Sequence, residues 1–342
     1  MTLKRNTWLL ILMASIVFSF LFFLLLTNNR VEYIGKVDIA LGTRVKVVVS
    51  ADHPERVINA ILREFHRIED KFTVNEKKND KSVISRINQS DTYPVVIDEE
   101  TAFVIERSLG LAQGTNGAFD PALGNLIKLW GFDRISDADF EPDVPTQEEI
   151  DRAVRLSGYE HVSVEGNKIT LENGVALDLG GIVKGYAIDR GVEIGREMDT
   201  DATGYIDAGG DIGIIGPKFG GDFWSVAVRD PEGEPDDYVE KVFLEKGAVV
   251  TSGDYERTFE IDGKRYHHIL NPKTGRPVRK TKSSTVIAPN AMDADVLSTA
   301  GFVLGGEFAS IMLPPLGGQG YFIGEDGKVK TTAGWHFFTE RR

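Results

Sequence analysis

Three of the chain's four Asx-Gly dipeptides constrain its fold more than any other feature: Asn173-Gly174, Asp262-Gly263 and Asp326-Gly327. Such pairs accept positive φ at both central residues, the geometry that returns a strand antiparallel to itself. The first lies in "KITLENGVALDL" between two apolar runs and predicts a hairpin; the others predict two more. "TRVKVVVS" alternates Val45, Val47 and Val49, as a half-buried strand does. "FWSVAVRD" and "KGAVVTSG" read as further strands. Helical spacing is equally plain. Val57, Ile58, Ile61, Leu62, Phe65 and Ile68 share one face behind Pro54. Residues 99–113 predict a second helix. Thr146 and Glu149 form a capping box for a third, to about Leu156. "NAMDADVLSTAGFVLGG" is helical up to Gly305-Gly306, and "KSVISRINQS" reads as a polar loop. Strands and helices mix without regular β-α alternation, so the expected class is α+β with mostly antiparallel pairing.

The first residues set a second constraint. Trp8 to Leu26 is a run of about nineteen residues whose only polar content is serine, close to the ~20 that span a bilayer. A cleaved signal peptide would carry a shorter apolar region and an A-x-A-like site, and "LLLTNNRVEY" has neither that pattern nor a cysteine. The run predicts an uncleaved transmembrane anchor. Lys4 and Arg5 before it favour a cytoplasmic N-terminus. The expected organisation is therefore 1–7 cytoplasmic, 8–26 membrane-spanning, 27–33 connector and 34–342 one extracytoplasmic catalytic domain of the cytoplasmic membrane. The chain has 342 residues, 42% of them hydrophobic, ample for a large core. A net charge of −13 without a basic stripe argues against nucleic-acid partners. Zero cysteines exclude disulfides, thiolate catalysis and zinc-thiolate sites.

Four stretches could carry chemistry. In "ALDLGGIVKGYAIDRG" the pattern predicts a strand that ends at Asp178 and a helix that begins near Ile182. Glycines there let backbone N–H groups approach an anion, Lys184 could neutralise a phosphate, and Asp178 could bind a hydroxyl, a ring N–H or a metal. The pattern is neither Walker A nor G-x-G-x-x-G, and a plain glycine turn explains it as well. In "NGAFDPALGNLIKLWGF", Asp120-Pro121 suits the N-cap and first position of a helix through about Trp130; Phe119 with Asp120 also suits a planar heterocycle, stacked on the ring and held by its N–H. In "AMDADVLSTAG", Asp295 and Thr299 stand at i and i+4 on one helix face. They are hard oxygen ligands suited to Mg2+, or else a surface carboxylate and a threonine bonded back to its helix. In "TSGDYERTFEIDGKRYHHILNPKTGRPV", His267 and His268 precede a loop; only one should face a given pocket, and it could act as a base. No G-x-S-x-G elbow is present.

"GAFDPALGNLIKLWGF", "LDLGGIVKGYAIDR", "DAGGDIGIIG", "VVTSGDYERTF", "HHILNPKTGRPV" and "ADVLSTAGFVLG" occur in this order. Together they resemble the FAD:protein FMN transferase family, often called ApbE, over about residues 34–335. The resemblance implies a mixed α/β, T-fold-like catalytic domain. It also implies a Mg2+-dependent enzyme that splits FAD, releases AMP and attaches FMN by a phosphoester to Thr or Ser of a target, such as flavoprotein subunits of extracytoplasmic electron-transfer systems. Position by position, it assigns Ala118, Phe119 and Asp120 to flavin binding, with Leu41 standing where the family has Met. Asp178 and Lys184 match FAD-contacting positions, as do His268 and Ile269, with His268 the candidate base and Lys184 the phosphate-stabilising cation. Asp295, Thr299 and the backbone of Gly181 match metal ligands. Four features depart from the family pattern: Leu41 stands for Met, Val74 replaces a common aromatic, Leu270-Asn271 replaces Ile-Asp before Pro272, and the lipidated cysteine is absent. Two rivals share the site: an FAD pyrophosphatase with water as acceptor, and an anchored FAD carrier that cleaves nothing.

Overall fold

The computed structural model describes residues 32–74, 82–135, 137, 139–234, 236–255 and 257–339. The expected membrane-spanning run lies outside them. Among the described residues no helix is long and apolar enough to cross a membrane.

The strands in chain order are β1 (Ile34–Ala40), β2 (Thr43–Ser50), β3 (Val95–Val96), β4 (Val162–Glu165), β5 (Lys168–Leu171), β6 (Thr203–Ala208), β7 (Asp211–Gly216), β8 (Trp224–Arg229) and β9 (Tyr238–Leu244). They continue with β10 (Ala248–Gly253), β11 (Thr258–Ile261), β12 (Lys264–His267), β13 (Leu270–Asn271), β14 (Arg276–Pro277), β15 (Thr281–Ala288), β16 (Gln319–Gly324) and β17 (Val329–Thr331). The helices are α1 (Pro54–Phe72), α2 (Val83–Asn88), α3 (Glu99–Gly114), α4 (Gly124–Trp130), α5 (Gln147–Arg155), α6 (Val183–Met198), α7 (Ala291–Leu304) and α8 (Gly306–Met312).

Eight strands form one antiparallel sheet in the order β1-β2-β6-β7-β10-β15-β16-β17. One face is covered by α1, α6 and α7. The face-forming residues of α1 (Val57, Ile58, Ile61, Leu62, Phe65 and Ile68) are all buried there, as their spacing predicts. Glycines set how close the covering helices come. A β-carbon at Gly185 would stand 2.3 Å from the Ala291 carbonyl oxygen, so only glycine lets α6 meet the start of α7. Below the other face, Ile214, Val228, Val242, Leu244 and Trp335 make a second core under the β8–β9 hairpin. A third cluster, rich in aromatics, joins α4, α5 and β11–β13 through Trp130, Phe132, Phe259 and Tyr266. The fold is thus mixed α/β, with the antiparallel pairing that the turn dipeptides require.

Asp262-Gly263 turns β11 into β12, pairing Ile261 with Lys264, and Asp326-Gly327 lies in the β16–β17 connection. The Thr146–Glu149 capping box is present on α5. Three sequence expectations fail. Asn173-Gly174 does turn the chain, with φ of 54° and 70°, but no return strand follows. β5 is flanked by β3 and β4, so residues 175–179 find other partners: Asp178 N–H donates to Pro121 O (2.8 Å), and Leu177 N–H to Asn88 Oδ1 (2.8 Å). The supposed loop at 81–90 contains α2, capped by Ser82 accepting from Ser85 N–H; six residues are too few to display a helical period. Asp120-Pro121 does not open a helix. Asp120 Oδ1 takes the N–H of Ala122 in a tight turn, and α4 begins only at Gly124.

Candidate active site

Segment 178–184 connects to α6 without a strand, and that irregular backbone gathers the site. Asp178 folds its Oδ1 onto Gly180 N–H (2.8 Å) in an Asx turn. Gly181 comes next, between two other elements. A β-carbon added to it would stand 3.2 Å from the Phe119 ring and 3.8 Å from Thr299 Oγ1. The A-F-D stretch, the Gly-Gly turn and helix α7 therefore meet at one point, although they are far apart in sequence. Ala118 and Phe119 are buried behind that point. Asp120 is 9% exposed and accepts from Ala122 N–H (2.8 Å) and Tyr159 N–H (3.2 Å). Burial outweighs those bonds and pushes its carboxyl up to about 6.

Helix α7 presents the carboxylate and hydroxyl. Asp295 is 4% exposed, which corrects the surface-residue alternative, and its Oδ2 accepts from Gly185 N–H (3.0 Å). Thr299 lies one turn on; its Oγ1 is 3.3 Å from Ser252 Oγ, which also meets Ser298 Oγ at 2.7 Å. The start of α7 is fixed by Asn290, whose side chain accepts from Asp293 N–H, and by Asp189 of α6, whose two oxygens accept from Ala291 and Met292 N–H (2.7 and 2.8 Å). Arg107 grips Asp293 from α3 (Nε to Oδ1, 2.8 Å). No group of three or more His, Cys, Asp and Glu able to hold a metal ion exists among the described residues. The oxygen donors nearby are instead the Thr299 hydroxyl, the Gly181 backbone beside it and the Asp295 carboxylate one helical turn before Thr299. Such oxygen donors fit Mg2+, which fills its remaining positions with water and substrate phosphate.

A second set of side chains carries nitrogen. Lys184 Nζ pairs with the buried Asp211 Oδ2 at the head of β7, and Asp211 Oδ1 accepts from Thr251 N–H (3.1 Å). Burial raises the Asp211 carboxyl against the pull of Lys184. Of the two histidines, His267 turns into the core, its Nε2 2.6 Å from Val278 O and its ring edge-on to Phe302. His268 faces the other way, part-exposed, with its Nδ1 buried and without a hydrogen-bond partner. Desolvation holds its pKa well below the usual value, and the charges of Arg257 and Lys184 add to that, so the imidazole is held neutral. The β1–β2 turn closes this side. Leu41 adopts φ 53°, rare for a non-glycine residue, and a β-carbon at Gly42 would lie 3.7 Å from Arg257 Nη2. Ile269 next to His268 is buried in the main core, so its side chain supports the site from behind.

Of the residues the sequence singled out, the fold brings Phe119, Gly181 and Thr299 together and sets Lys184 near His268; Leu41, Ala118, Asp120, Asp178, Ile269 and Asp295 lie on the neighbouring turns and helix. Sequence reasoning passed over Asp189, Asp211, Gly185, Ser252 and Arg257. Asp211 had a visible signal: a carboxylate heading the otherwise apolar strand "DIGIIG".

The comparisons concern the fold and the family. The model of the ApbE family matches residues 41–316. A FAD:protein FMN transferase of Treponema pallidum is 35% identical over 321 residues, covering 89% of this chain and 88% of that protein. One from Vibrio cholerae is 34% identical, covering 66% and 67%. Among solved structures, the ApbE protein of Thermotoga maritima superposes with a TM-score of 0.86 at 42% identity, covering 91% of this chain and all of that one. The flavin transferase ApbE of Vibrio cholerae gives 0.77 at 27%, covering 90% and 99%. With its family model spanning most of the described fold and its site built from the same ordered motifs, this chain belongs to the ApbE family.

Proposed function

We propose that the chain is an FAD:protein FMN transferase that cleaves FAD, releases AMP and joins FMN by a phosphoester to a Thr or Ser hydroxyl of a target protein. The observation that carries this reading is the meeting of Phe119, Gly181 and Thr299 at one point. An aromatic ring close to oxygen donors suits a flavin joined to a pyrophosphate, and that supports the reading. Asp295, Thr299 and the Gly181 carbonyl would hold Mg2+. When bound, Mg2+ supplies charge neutralisation at the pyrophosphate.

The remaining work falls to the chain itself. Phe119 packs on the flavin, and Asp120, ionised above about pH 6, accepts a ring N–H. Lys184 faces the phosphates, its charge held in place by Asp211 until substrate arrives. The target hydroxyl oxygen attacks the flavin-side phosphorus in line with the bond to the AMP phosphate, and that bond breaks. His268, neutral before reaction, takes the hydroxyl proton. Asp178 is placed to steady the bound dinucleotide at the mouth of the turn. We further propose that residues 8–26 anchor the chain in the cytoplasmic membrane with the catalytic domain outside; the apolar run and the missing cleavage pattern support it.

Incubation of the full chain with FAD, Mg2+ and a Thr-bearing target tests the reaction. Transfer gives a target heavier by FMN less water, with AMP in equal amount. AMP and free FMN without an adduct would make the chain a hydrolase. FAD recovered uncut would make it a carrier.

A further inference from the structure

The active site and the start of the described chain lie at opposite ends of the sheet. β1 runs from Ile34, paired with Val49, to Ala40, paired with Thr43, and the Leu41–Gly42 turn belongs to the site. At ~3.3 Å per residue, the seven residues of β1 separate Tyr33 from that turn by about 20 Å. Tyr33 is not a loose lead-in. Its Oη accepts from Phe219 N–H (2.9 Å) and meets Thr203 Oγ1 at 3.1 Å, and its ring stands edge-on to Trp224 at 5.3 Å. Trp224 in turn meets Tyr205 at 5.0 Å, and Lys218 Nζ lies 5.9 Å over the Trp224 ring. The loop that makes these contacts, residues 217–223, follows β7 away from the site. It turns through Gly220 and Gly221, both at positive φ, and leaves Phe219 58% exposed.

We propose that this aromatic end of the domain rests on the bilayer, with Phe219 inserted at the interface. The inference builds on the membrane anchor. Only residues 27–33 separate the apolar run from the docking point of Tyr33, a reach of at most about 25 Å. Whatever the connector's conformation, the end bearing Phe219 and Trp224 is therefore held within that distance of the membrane, and the flavin site faces away from it. Aromatic rings with a neighbouring lysine are the side chains that favour the interface between headgroups and acyl chains. The lipid involved is neutral rather than anionic. The chain carries a net charge of −13, and Asp199 and Asp201 border the same end, so electrostatic attraction to acidic headgroups cannot drive the contact.

The absence of cysteine makes the test clean. A nitroxide is attached to Phe219→Cys and, as a control at the site end of the sheet, to Lys328→Cys, both exposed positions in the full chain. Each is reconstituted into phosphatidylcholine vesicles. Collision with oxygen and with a water-soluble nickel chelate then reports depth. The label at 219 is expected about 5–10 Å inside the headgroup boundary, with the label at 328 fully aqueous. A label at 219 as open to the chelate as that at 328 overturns the proposal while leaving the anchor standing. A label at 219 shielded from both reagents means a protein covers the loop, and also overturns it. If the chain leaves the vesicles in a carbonate wash, both the anchor and this inference fall.

Discussion

The two walls of the site are built by different means. The oxygen wall, α6 against α7, is fixed by backbone. Gly185 lets the helices touch, its N–H holds Asp295, and Asp189 with Asn290 pins the start of α7. The nitrogen side is assembled from charges at element ends: Lys184 in the first turn of α6 leaning on buried Asp211 at the head of β7, His268 just past the end of β12, and Arg257 beside the strained Leu41 turn. The difference teaches that the side proposed to hold metal is fixed by backbone contacts that need no ligand, whereas the side proposed to handle proton and phosphate rests on charged side chains.

Changes on the two walls should fail differently. Asp295→Ala removes the one carboxylate of the proposed metal-donor set and should abolish transfer, with unfolding cooperativity kept; appreciable turnover in this variant or in EDTA would break the comparison. His268→Ala should slow transfer on the order of 10²–10⁴-fold, with FAD affinity little changed. Near-normal rates would move the base role to another residue. Lys184→Ala should raise the transfer barrier by about 2–4 kcal/mol and also lower the melting temperature, because Asp211 is left buried without its cation. Adding Asp211→Asn should return stability but not rate, a separation that thermal melts and kinetics on the double variant would show. Thr299→Ala should cost less, about 0.5–1.5 kcal/mol, as one neutral contact that water can replace. The smallest effect is in pH. The Asp120 carboxyl is raised to about 6 by burial, so as pH falls through that value it gains a proton and stops accepting a ring N–H. The KM for FAD should rise on that limb, and the rise should vanish in Asp120→Asn. For stability the sign is opposite. The folded state binds this proton more tightly than the unfolded chain, so this group's contribution declines as pH climbs from 3.8, its ordinary value, to about 6.

What the sequence disclosed follows from how local each signal is. The α1 stripe and the Asp295–Thr299 pair depend only on helical period, and both were legible. The hairpin at 168–179 was not, because a turn dipeptide specifies a reversal and not the partner that receives the returning chain; here Pro121 and Asn88 supply the bonds. Asp120 looked like a helix cap because capping and Asx turns use the same residue, and only the tertiary contact with Tyr159 N–H decides between them. Asp189 and Gly185 act across helices about a hundred positions apart, a distance at which spacing carries no information. The six motifs compensated by arriving together and in order, which is why the family was legible when several of its side-chain partnerships were not.

The claim that one wall is organised for metal and the other for proton transfer is tested most directly by FAD affinity measured with and without Mg2+. In the wild type and in His268→Ala, Mg2+ should tighten FAD binding by the same factor. In Asp295→Ala that factor should fall to one. A Mg2+-linked gain in affinity that survives in Asp295→Ala, or disappears in His268→Ala, would contradict the account.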